Sequence, residues 1–277
     1  MQVVRRVLFS SESGPRGSWW VVIFLLLLAA LLFPTILLSD HYGFEVTYWH
    51  QVLIIIMVTV FCQAFRGESI FELVGTLNND WLRKLGVGLL LGSALMIVPA
   101  LVLNLAGYVQ WQVNSISAMD FMTSLSIMLS VVIAEELLFR GFIFQRLIES
   151  FGNWPAQLLM GALFLLTHLG NPGMSGAIKI FASINFFIAS ILFGIAYIKT
   201  RSLAMPFGIH FMANVMQGNI LGFGVSGERE NSLFIPILDN APTWITGGTF
   251  GLEASIIGLG SLTILTTWLY FRHITIK

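Results

Sequence analysis

Residues 19–38 read WWVVIFLLLLAALLFPTILL, a run of twenty residues without a charged side chain. A helix needs about 20 mostly apolar residues to cross the hydrocarbon core of a bilayer. A secretory signal peptide has a shorter apolar core, of about 7–15 residues, which ends at a small-residue cleavage site. Here the run continues into Ser39-Asp40-His41-Tyr42, and we therefore interpret it as a retained first membrane span.

The composition extends this conclusion to the whole chain. Of the 277 residues, 56% are hydrophobic and only 10% are charged, whereas a soluble domain carries about a quarter charged residues. Membrane lipid is therefore the expected surrounding of most of the protein. The 14 basic residues balance the 14 acidic ones and form no basic stripe, so we expect no nucleic-acid partner. The single cysteine, Cys62, cannot form an internal disulfide.

Further apolar runs follow the first, and we predict a membrane-spanning helix for each of eight segments. The fold class is therefore predicted to be all-α, a polytopic membrane bundle of about eight helices. We find no convincing internal repeat, which argues against the inverted-repeat transporter folds. The predicted spans are residues 18–38, 44–65, 86–108, 120–139, 155–169, 177–198, 203–221 and 248–270.

The distribution of Lys and Arg predicts the orientation of this bundle. With eight crossings and both termini in the cytoplasm, only Lys179 and Arg229 fall on the external side. The segment 222–247, which is rich in Gly and Pro, then becomes an external loop. The basic residues predicted to lie on the cytoplasmic side are Arg5, Arg6, Arg16, Arg66, Arg83, Lys84, Arg140, Arg146, Lys199, Arg201, Arg272 and Lys277.

Two adjacent carboxylates lie near the end of the fourth span, in the sequence VVIAEELLFR at 131–140. An ionisable residue at mid-membrane costs about 2.5–3.5 kcal/mol on insertion scales, and such residues therefore point to function. Glu136 and Arg140 are four residues apart and can form an ion pair. Glu135 points about 100° away and stays available as a general base. The alternative is an interfacial charge cluster that ends the span.

Two later spans carry histidines. His168 ends the sequence FLLTH at 164–168, and His210 and Asn214 enclose the sequence HFMAN. Residues four apart share one helix face, so the Asn214 amide and the His210 imidazole point the same way, and the amide could donate to an oxyanion. Each of these groups could instead make only a structural hydrogen bond between helices.

Three further ionisable residues are weaker candidates. Glu45 in the second span and Glu253 at the start of the eighth lie near the predicted external interface, where we expect both to be solvated. His50, also in the second span, is interpreted as a structural residue.

The order E-E-x-x-x-R, F-x-x-x-H and H-x-x-x-N on successive spans resembles the CPBP family of intramembrane proteases. This family, also called Abi, includes CAAX prenyl proteases such as the eukaryotic Ras-converting enzyme, and bacteriocin-processing enzymes. The resemblance covers about residues 120–220. It implies a catalytic core at 120–221, three preceding helices in 1–119, and an external loop and last helix in 222–277.

The resemblance also implies a role for each matched residue. Glu135 would activate the attacking water, while Glu136 and Arg140 would be structural or substrate-orienting. The expected reaction is endoproteolysis near the C-terminus of a membrane-anchored protein or peptide, in the cell membrane. The histidine of the second motif is matched by His168, and the motif associated with water positioning and oxyanion stabilisation is matched by His210 and Asn214.

Two mechanisms stay open for these residues. In the first, Glu135 deprotonates water directly, and His210 and Asn214 stabilise the oxyanion. In the second, Glu135, His168 and His210 bind a divalent metal such as zinc, because two His and one carboxylate form a known catalytic zinc set. The H-E-x-x-H pattern is absent, so the sequence does not demand a metal. Outside enzymes, the alternatives are a proton-coupled transporter that uses the same groups as a relay and a non-catalytic immunity protein.

Helix geometry predicts where the site lies. His210 should lie about 10 Å deep, with Glu135 within a few ångströms of that depth. We expect a polar cavity that opens toward the cytoplasm, flanked by Arg140 and Arg201. On a straight helix from residue 155, His168 would lie roughly 20 Å deep, so we expect helix tilt and a helix start delayed by residues 152–155.

Overall fold

A computed structural model describes residues 17–238 and 241–272 of the chain. Both termini lie outside these ranges, as do four of the basic residues that the orientation prediction assigns to the cytoplasm: Arg5, Arg6, Arg16 and Lys277. Within the described ranges the chain is mainly helical. This is expected of apolar segments in lipid, because a helix satisfies its backbone hydrogen bonds internally.

Short connections join most of the helices. Two π-helical segments, Leu137–Phe142 and Val215–Ile220, directly continue α5 and α9. In chain order the α-helices are α1 (Gly17–Tyr42), α2 (Tyr48–Arg66), α3 (Phe71–Val74), α4 (Asn79–Leu105), α5 (Ala118–Glu136), α6 (Ile143–Phe151), α7 (Asn153–His168), α8 (Gly176–Thr200), α9 (Ala204–Asn214), α10 (Thr243–Thr246) and α11 (Ile256–Phe271).

Each predicted span contains a helix, and four helices in the described part of the chain are long and apolar enough to cross a membrane on those criteria. These are α1, α2, α4 and α8, while α11 is a shorter apolar helix. The chain is therefore a membrane protein with several apolar helices. A total of eight crossings stays a prediction, as does the cytoplasmic position of the termini.

The last helix begins later than predicted. The predicted span starts at residue 248, but α11 begins at Ile256. Gly247, Gly248 and Gly251 all have positive φ values, which glycine tolerates but an α-helix does not contain. The Ser255 hydroxyl then caps α11 by accepting a hydrogen bond from the backbone of its first turn.

Two short strands are the exception to the predicted all-α fold. β1 (Val109–Val113) and β2 (Phe234–Leu238) pair antiparallel, with Trp111 opposite Pro236. The pair joins the α4–α5 connection to the long connection that follows α9. The sheet therefore orders part of the segment 222–247. The sequence does not predict it, because the strands have only five residues each and β2 contains a proline.

Helix α9 packs closely on α4. Gly88 and Gly92 form a G-x-x-x-G pattern, and a Cβ atom on Gly92 would lie 2.3 Å from the Ile209 carbonyl oxygen. A Cβ atom on Gly88 would lie 2.5 Å from the Met205 carbonyl oxygen. Small residues four apart let membrane helices approach this closely. The contact fixes the backbone next to His210.

Candidate active site

Three predicted site residues meet inside the bundle. The Glu135 carboxylate on α5 lies 3.8 Å from Nε2 of His168, at the end of α7, and 3.7 Å from Nε2 of His210 on α9. Both histidines are buried, with 8% and 5% of their surface exposed. One water can therefore contact the carboxylate and an imidazole together, which is the geometry that general-base catalysis requires.

The lengths of α5 and α7 explain why Glu135 and His168 meet. Helix α5 ends at Glu136, and a π-helical segment that is kinked at Gly141 joins it to α6, so Glu135 lies sixteen residues before the end of α6. His168 lies fifteen residues after the start of α7 at Asn153. The expected delay of the helix start at residues 152–155 is wrong.

The neighbouring carboxylate, Glu136, supports the other nitrogen of the same imidazole. Its Oε1 atom lies 2.8 Å from Nδ1 of His210 and accepts a 3.2 Å hydrogen bond from Nη1 of Arg140. An ionised carboxylate only accepts hydrogen bonds, so His210 donates from Nδ1. The guanidinium of Arg140 lies 4.9 Å from the Phe164 ring centroid and 4.8 Å from that of Phe193. The ion pair of Glu136 and Arg140 thus orients the His210 imidazole and links α5 to α9.

A carbonyl oxygen fixes the tautomer of His168. Its Nδ1 atom lies 2.7 Å from the Phe164 carbonyl oxygen, which can only accept, so Nδ1 carries the hydrogen. In the neutral ring Nε2 is then an acceptor. Aromatic contacts hold the ring, with centroids 4.4 Å from those of both Phe164 and Phe186. His168 therefore presents a fixed acceptor toward Glu135.

Asn214 lines the same cavity as Glu135 and His210. Its side chain makes no hydrogen bond to any other residue in the described part of the chain, so its amide donors are available to a ligand. The π-helical segment after α9 begins at the next residue, and the other π-helical segment begins directly after Glu136. Such segments occur mostly at functional sites.

The site residues line a cavity of about 610 Å³. Aromatic rings form its inner end, contributed by Phe139, Phe164 and Phe193. Its outer end reaches Glu228 and Arg229, which are exposed residues of the connection between α9 and α11. The cavity therefore runs from the buried carboxylate to this connection.

The expected opening beside Arg140 and Arg201 is wrong. Arg140 is 1% exposed and is separated from the cavity by the aromatic rings that it contacts, and neither arginine lines the cavity. The cavity opens at the opposite end of the bundle. We call this opening the mouth and define it by Asn171, Ser226 and Glu228.

Glu253 is a cavity residue that the sequence analysis assigned to solvent. Its Oε2 atom accepts a 2.6 Å hydrogen bond from the Ser226 backbone N–H, and Asn171 Nδ2 donates a 2.9 Å bond to the Ser226 carbonyl. Burial raises the pKa of Glu253, although the bond from Ser226 lowers it. The residue lies in a 3-10 turn, Leu252–Ala254, and not in α11. That turn directs its side chain into the cavity, and no pattern in the surrounding sequence indicates this.

The two remaining candidates lie outside the cavity. Glu45 is exposed, as expected. His50 caps the start of α2, because its Nδ1 atom accepts a 3.1 Å hydrogen bond from the Thr47 backbone N–H. His50 therefore has a structural role, which is local to the start of α2.

The donor types of Glu135, His168 and His210 match a zinc set, but their placement does not. Among residues 17–238 and 241–272, no group of three or more His, Cys, Asp or Glu side chains could hold a metal ion. Ligand distances of about 2.0–2.2 Å place tetrahedral neighbours roughly 3.3–3.6 Å apart. The carboxylate lies farther than that from both imidazoles, at 3.8 and 3.7 Å.

The comparisons with known proteins concern the same part of the chain. Residues 117–216 match a family model described as Type II CAAX prenyl endopeptidase Rce1-like. No curated protein matches the chain. The matched segment contains all six residues of the predicted site, which are Glu135, Glu136, Arg140, His168, His210 and Asn214. This match to residues 117–216 supports the resemblance of the chain to the CPBP family of CAAX proteases.

Proposed function

We propose that the protein is an endopeptidase of the cell membrane, and that it hydrolyses a peptide bond near the C-terminus of a membrane-associated protein or peptide. The proposal rests on one arrangement, the Glu135 carboxylate between Nε2 of His168 and Nε2 of His210 in a buried cavity. The family match of residues 117–216 supports the protease class. It leaves open whether the substrate is of the CAAX type or a bacteriocin precursor.

The first step is the activation of water. The separation of 3.8 Å between Glu135 and His168 exceeds a hydrogen bond but lets one water contact both groups. Because Nε2 of His168 is an acceptor, the water donates one hydrogen to it and the other to Glu135. The carboxylate takes that proton as the water oxygen bonds to the substrate carbonyl carbon.

The second step stabilises the oxyanion and releases the amine. His210 donates from Nδ1 to Glu136, so its Nε2 atom carries a hydrogen only when the ring is doubly protonated. That Nε2–H and the free amide of Asn214 are the donors proposed for the oxyanion. When the C–N bond breaks, Glu135 returns its proton to the leaving nitrogen.

No step in this proposal passes through a metal ion. A metal-dependent protease would need Glu135, His168 and His210 to move closer together than the structure places them. We therefore expect cleavage by the purified protein to survive exhaustive chelation. Activity that disappears with the chelator and returns with zinc would establish the metal-dependent mechanism.

The decisive test is Glu135→Gln, which keeps the shape of the side chain and removes the base. C-termini of membrane proteins are compared by mass spectrometry between cells with the wild type and cells with the variant. A general base contributes typically 10²–10⁴-fold, so Glu135-dependent cleavage should fall by about that factor. Glu45→Gln is the matched control, because Glu45 is exposed and lies outside the cavity.

The two non-enzyme alternatives predict a different result for the comparison of C-termini. A proton-coupled transporter or a non-catalytic immunity protein would leave every C-terminus unchanged between wild type and Glu135→Gln. If both proteins are expressed equally and no cleavage differs, the protease proposal fails. The family match does not favour either alternative.

A further inference from the structure

Asn185 is a buried polar side chain that no other residue of the described chain satisfies. It lies within α8 and is 6% exposed. Its carboxamide makes no hydrogen bond to residues 17–238 or 241–272, although buried polar groups in proteins are nearly always hydrogen-bonded. Polar residues inside a membrane bundle are costly and tend to be functional, so a free amide at this position indicates a binding role.

The free amide faces the cavity of the proposed active site. Asn185, Ala189 and Phe193 are spaced by four residues and share one face of α8, and all three line the cavity. Of the α8 residues in the cavity wall, Asn185 is the only polar one. Its amide atoms are not enclosed by protein atoms. They are therefore open to a molecule inside the cavity.

The neighbours of Asn185 on α8 contact both histidines of the site. The ring centroid of Phe186, the next residue, lies 4.4 Å from that of His168. Phe193 stacks on His210 with centroids 4.7 Å apart. The same helix thus packs against both imidazoles and presents the free amide to the space beside them.

The position of Asn185 along α8 suits an extended polypeptide. Helix α8 begins at Gly176, shortly after Asn171 of the mouth, and Phe193 belongs to the inner end of the cavity. Asn185 lies between them, about 12 Å along the helix from Phe193. An extended chain covers that distance with about four residues, at roughly 3.3 Å each. A substrate whose scissile bond lies at Glu135 therefore has a peptide unit near Asn185.

A carboxamide is complementary to the polypeptide backbone. It carries two N–H donors and an acceptor oxygen, and each substrate residue other than proline presents one N–H and one C=O. In an extended chain these two groups of one residue point to the same side, so one carboxamide can bond to both. Other polar groups of the cavity already have partners, since Asn171 donates to the Ser226 carbonyl and Glu253 accepts from the Ser226 N–H.

We infer that Asn185 binds the substrate backbone. Its carboxamide accepts a hydrogen bond from the N–H of one substrate residue near the scissile bond and donates one to the C=O of the same residue. This inference rests on the proposed protease function and adds a substrate-binding residue that lies outside the three motifs. Asn185 takes no part in the proton transfers assigned to Glu135.

Asn185→Ala separates substrate binding from a structural role. The assay uses a synthetic peptide that spans a cleavage site lost in Glu135→Gln. Because the amide has no partner in the described chain, its removal should leave the thermal midpoint in detergent equal to or above that of the wild type. The value of kcat/KM should nevertheless fall by about tenfold, as expected for lost hydrogen bonds to the substrate.

Asn219→Ala is the matched control for stability. Asn219 is also buried, but its Nδ2 atom donates to Ser124 Oγ at 2.7 Å and to the Asn231 carbonyl at 3.2 Å. Its replacement should therefore lower the thermal midpoint. A midpoint of Asn185→Ala as low as that of Asn219→Ala, or an unchanged kcat/KM for Asn185→Ala, overturns the inference.

Peptides in which one backbone N–H is replaced by an ester oxygen test the contact directly. Each peptide of the series carries one replacement, outside the scissile bond. With the wild type, one member should lose about tenfold in kcat/KM, and with Asn185→Ala the same member should lose nothing, because its partner is already absent. Equal losses in both proteins at every position overturn the inference and leave the protease proposal intact. If no cleavage depends on Glu135, the proposed function fails, and the binding role of Asn185 fails with it.

Discussion

Glu136 and Arg140 show how a buried charge can serve an active site without touching the substrate. Glu136 lies between the guanidinium and Nδ1 of His210, at 3.2 and 2.8 Å. The ion pair satisfies the charge of Glu136, and Glu136 in turn sets the orientation of the imidazole, as a second carboxylate commonly does for catalytic histidines. We therefore expect stability and the proposed catalysis to depend on the same contact.

The first prediction concerns this pair. Glu136→Ala and Arg140→Ala should each lower the folded yield, the thermal midpoint in detergent and the activity together. Removing one partner of a buried pair typically costs about 3–5 kcal/mol, because the other charge is left unpaired. A thermal midpoint equal to the wild type in both variants would count against the pairing.

The partly exposed ion pair of Asp80 with Lys84 is the matched control, since it has the same i, i+4 spacing at 2.6 Å and its side chains are 39% and 15% exposed. Asp80→Ala should change the thermal midpoint little, because exposed pairs contribute little to stability. The double variant of Glu136 and Arg140 should be less destabilised than the two single variants combined, because it leaves no unpaired charge.

Glu230, near the mouth, permits a prediction of pH dependence. Burial raises its pKa, while a hydrogen bond from Ser124 Oγ lowers it and the neighbouring Glu228 raises it further. Ser124 Oγ in turn accepts a 2.7 Å bond from Asn219 Nδ2. An acid with a raised pKa in the folded state stabilises the fold below its ordinary pKa of about 4.3, and this contribution is lost as the pH rises through the raised value.

The second prediction follows from this loss of stability with rising pH. Glu230→Gln keeps an acceptor for Ser124 and removes the charge, so the variant should lack that loss of stability. Its thermal midpoint, measured from about pH 4 upwards, should rise relative to the wild type as the pH increases. Glu68→Gln, at an exposed position, should follow the wild type at every pH. A constant difference between Glu230→Gln and the wild type would remove the titration argument.

At the scale of elements, the position of His210 depends on the contact between α4 and α9. The carbonyl oxygen of Ile209 lies where a Cβ atom of residue 92 would be, and Gly208 in turn lies close to the backbone of α4. Helix α9 can therefore approach α4 only because glycines occupy the contact. Any side chain at Gly92 must push α9, and His210 with it, away from the cavity.

The third prediction tests this contact. Gly92→Ala should lower the activity and destabilise the protein by about 1–3 kcal/mol, as overpacking does. Gly86→Ala, on the same helix, is the control, because a Cβ atom there meets nothing within 4 Å. That control should be neutral or more stable by up to about 1 kcal/mol. Equal thermal midpoints and activities for both variants would mean that the close approach does not position His210.

At the scale of the whole molecule, the sequence predicted the helices better than it predicted the cavity. Apolar runs and four-residue spacings are local, and a helix follows wherever they occur. The π-helical segment after Glu136, which is kinked at Gly141, is not local in this sense, and a separate helix, α6, follows it. Glu253 could not be predicted as a cavity residue for a similar reason, because only the folded glycine-rich turn brings its side chain beside Ser226.

The end of the bundle at which the cavity opens also could not be predicted from the sequence. A polar cavity could be predicted from the buried ionisable residues, but the flanking arginines suggested the wrong end. Arg140 proved to be a buried partner of Glu136, packed against aromatic rings, rather than a residue of the opening. A charge at the end of an apolar run does not by itself distinguish a buried pair from a solvated one.

The last prediction concerns the number of crossings, and α7 is the critical helix. Its 16 residues extend about 24 Å, short of a hydrocarbon core of about 30 Å, yet its two ends lead to opposite ends of the bundle. Asn153 lies two residues after the end of α6, whose Glu149 pairs with Arg66 at the end of α2, and Ser175 lies just beyond Asn171 of the mouth. A short helix can cross where the bilayer thins around it.

On a Cys62→Ala background, Asn153→Cys and Ser175→Cys should therefore react with an impermeant maleimide from opposite sides of the membrane. Both positions are exposed, and the side chain of Ser175 makes no cap hydrogen bond that the change would remove. Labelling of both from the same side would mean that α7 does not cross. His168 would then reach Glu135 from a helix that enters and leaves on one face, and the count of eight crossings would fall with it.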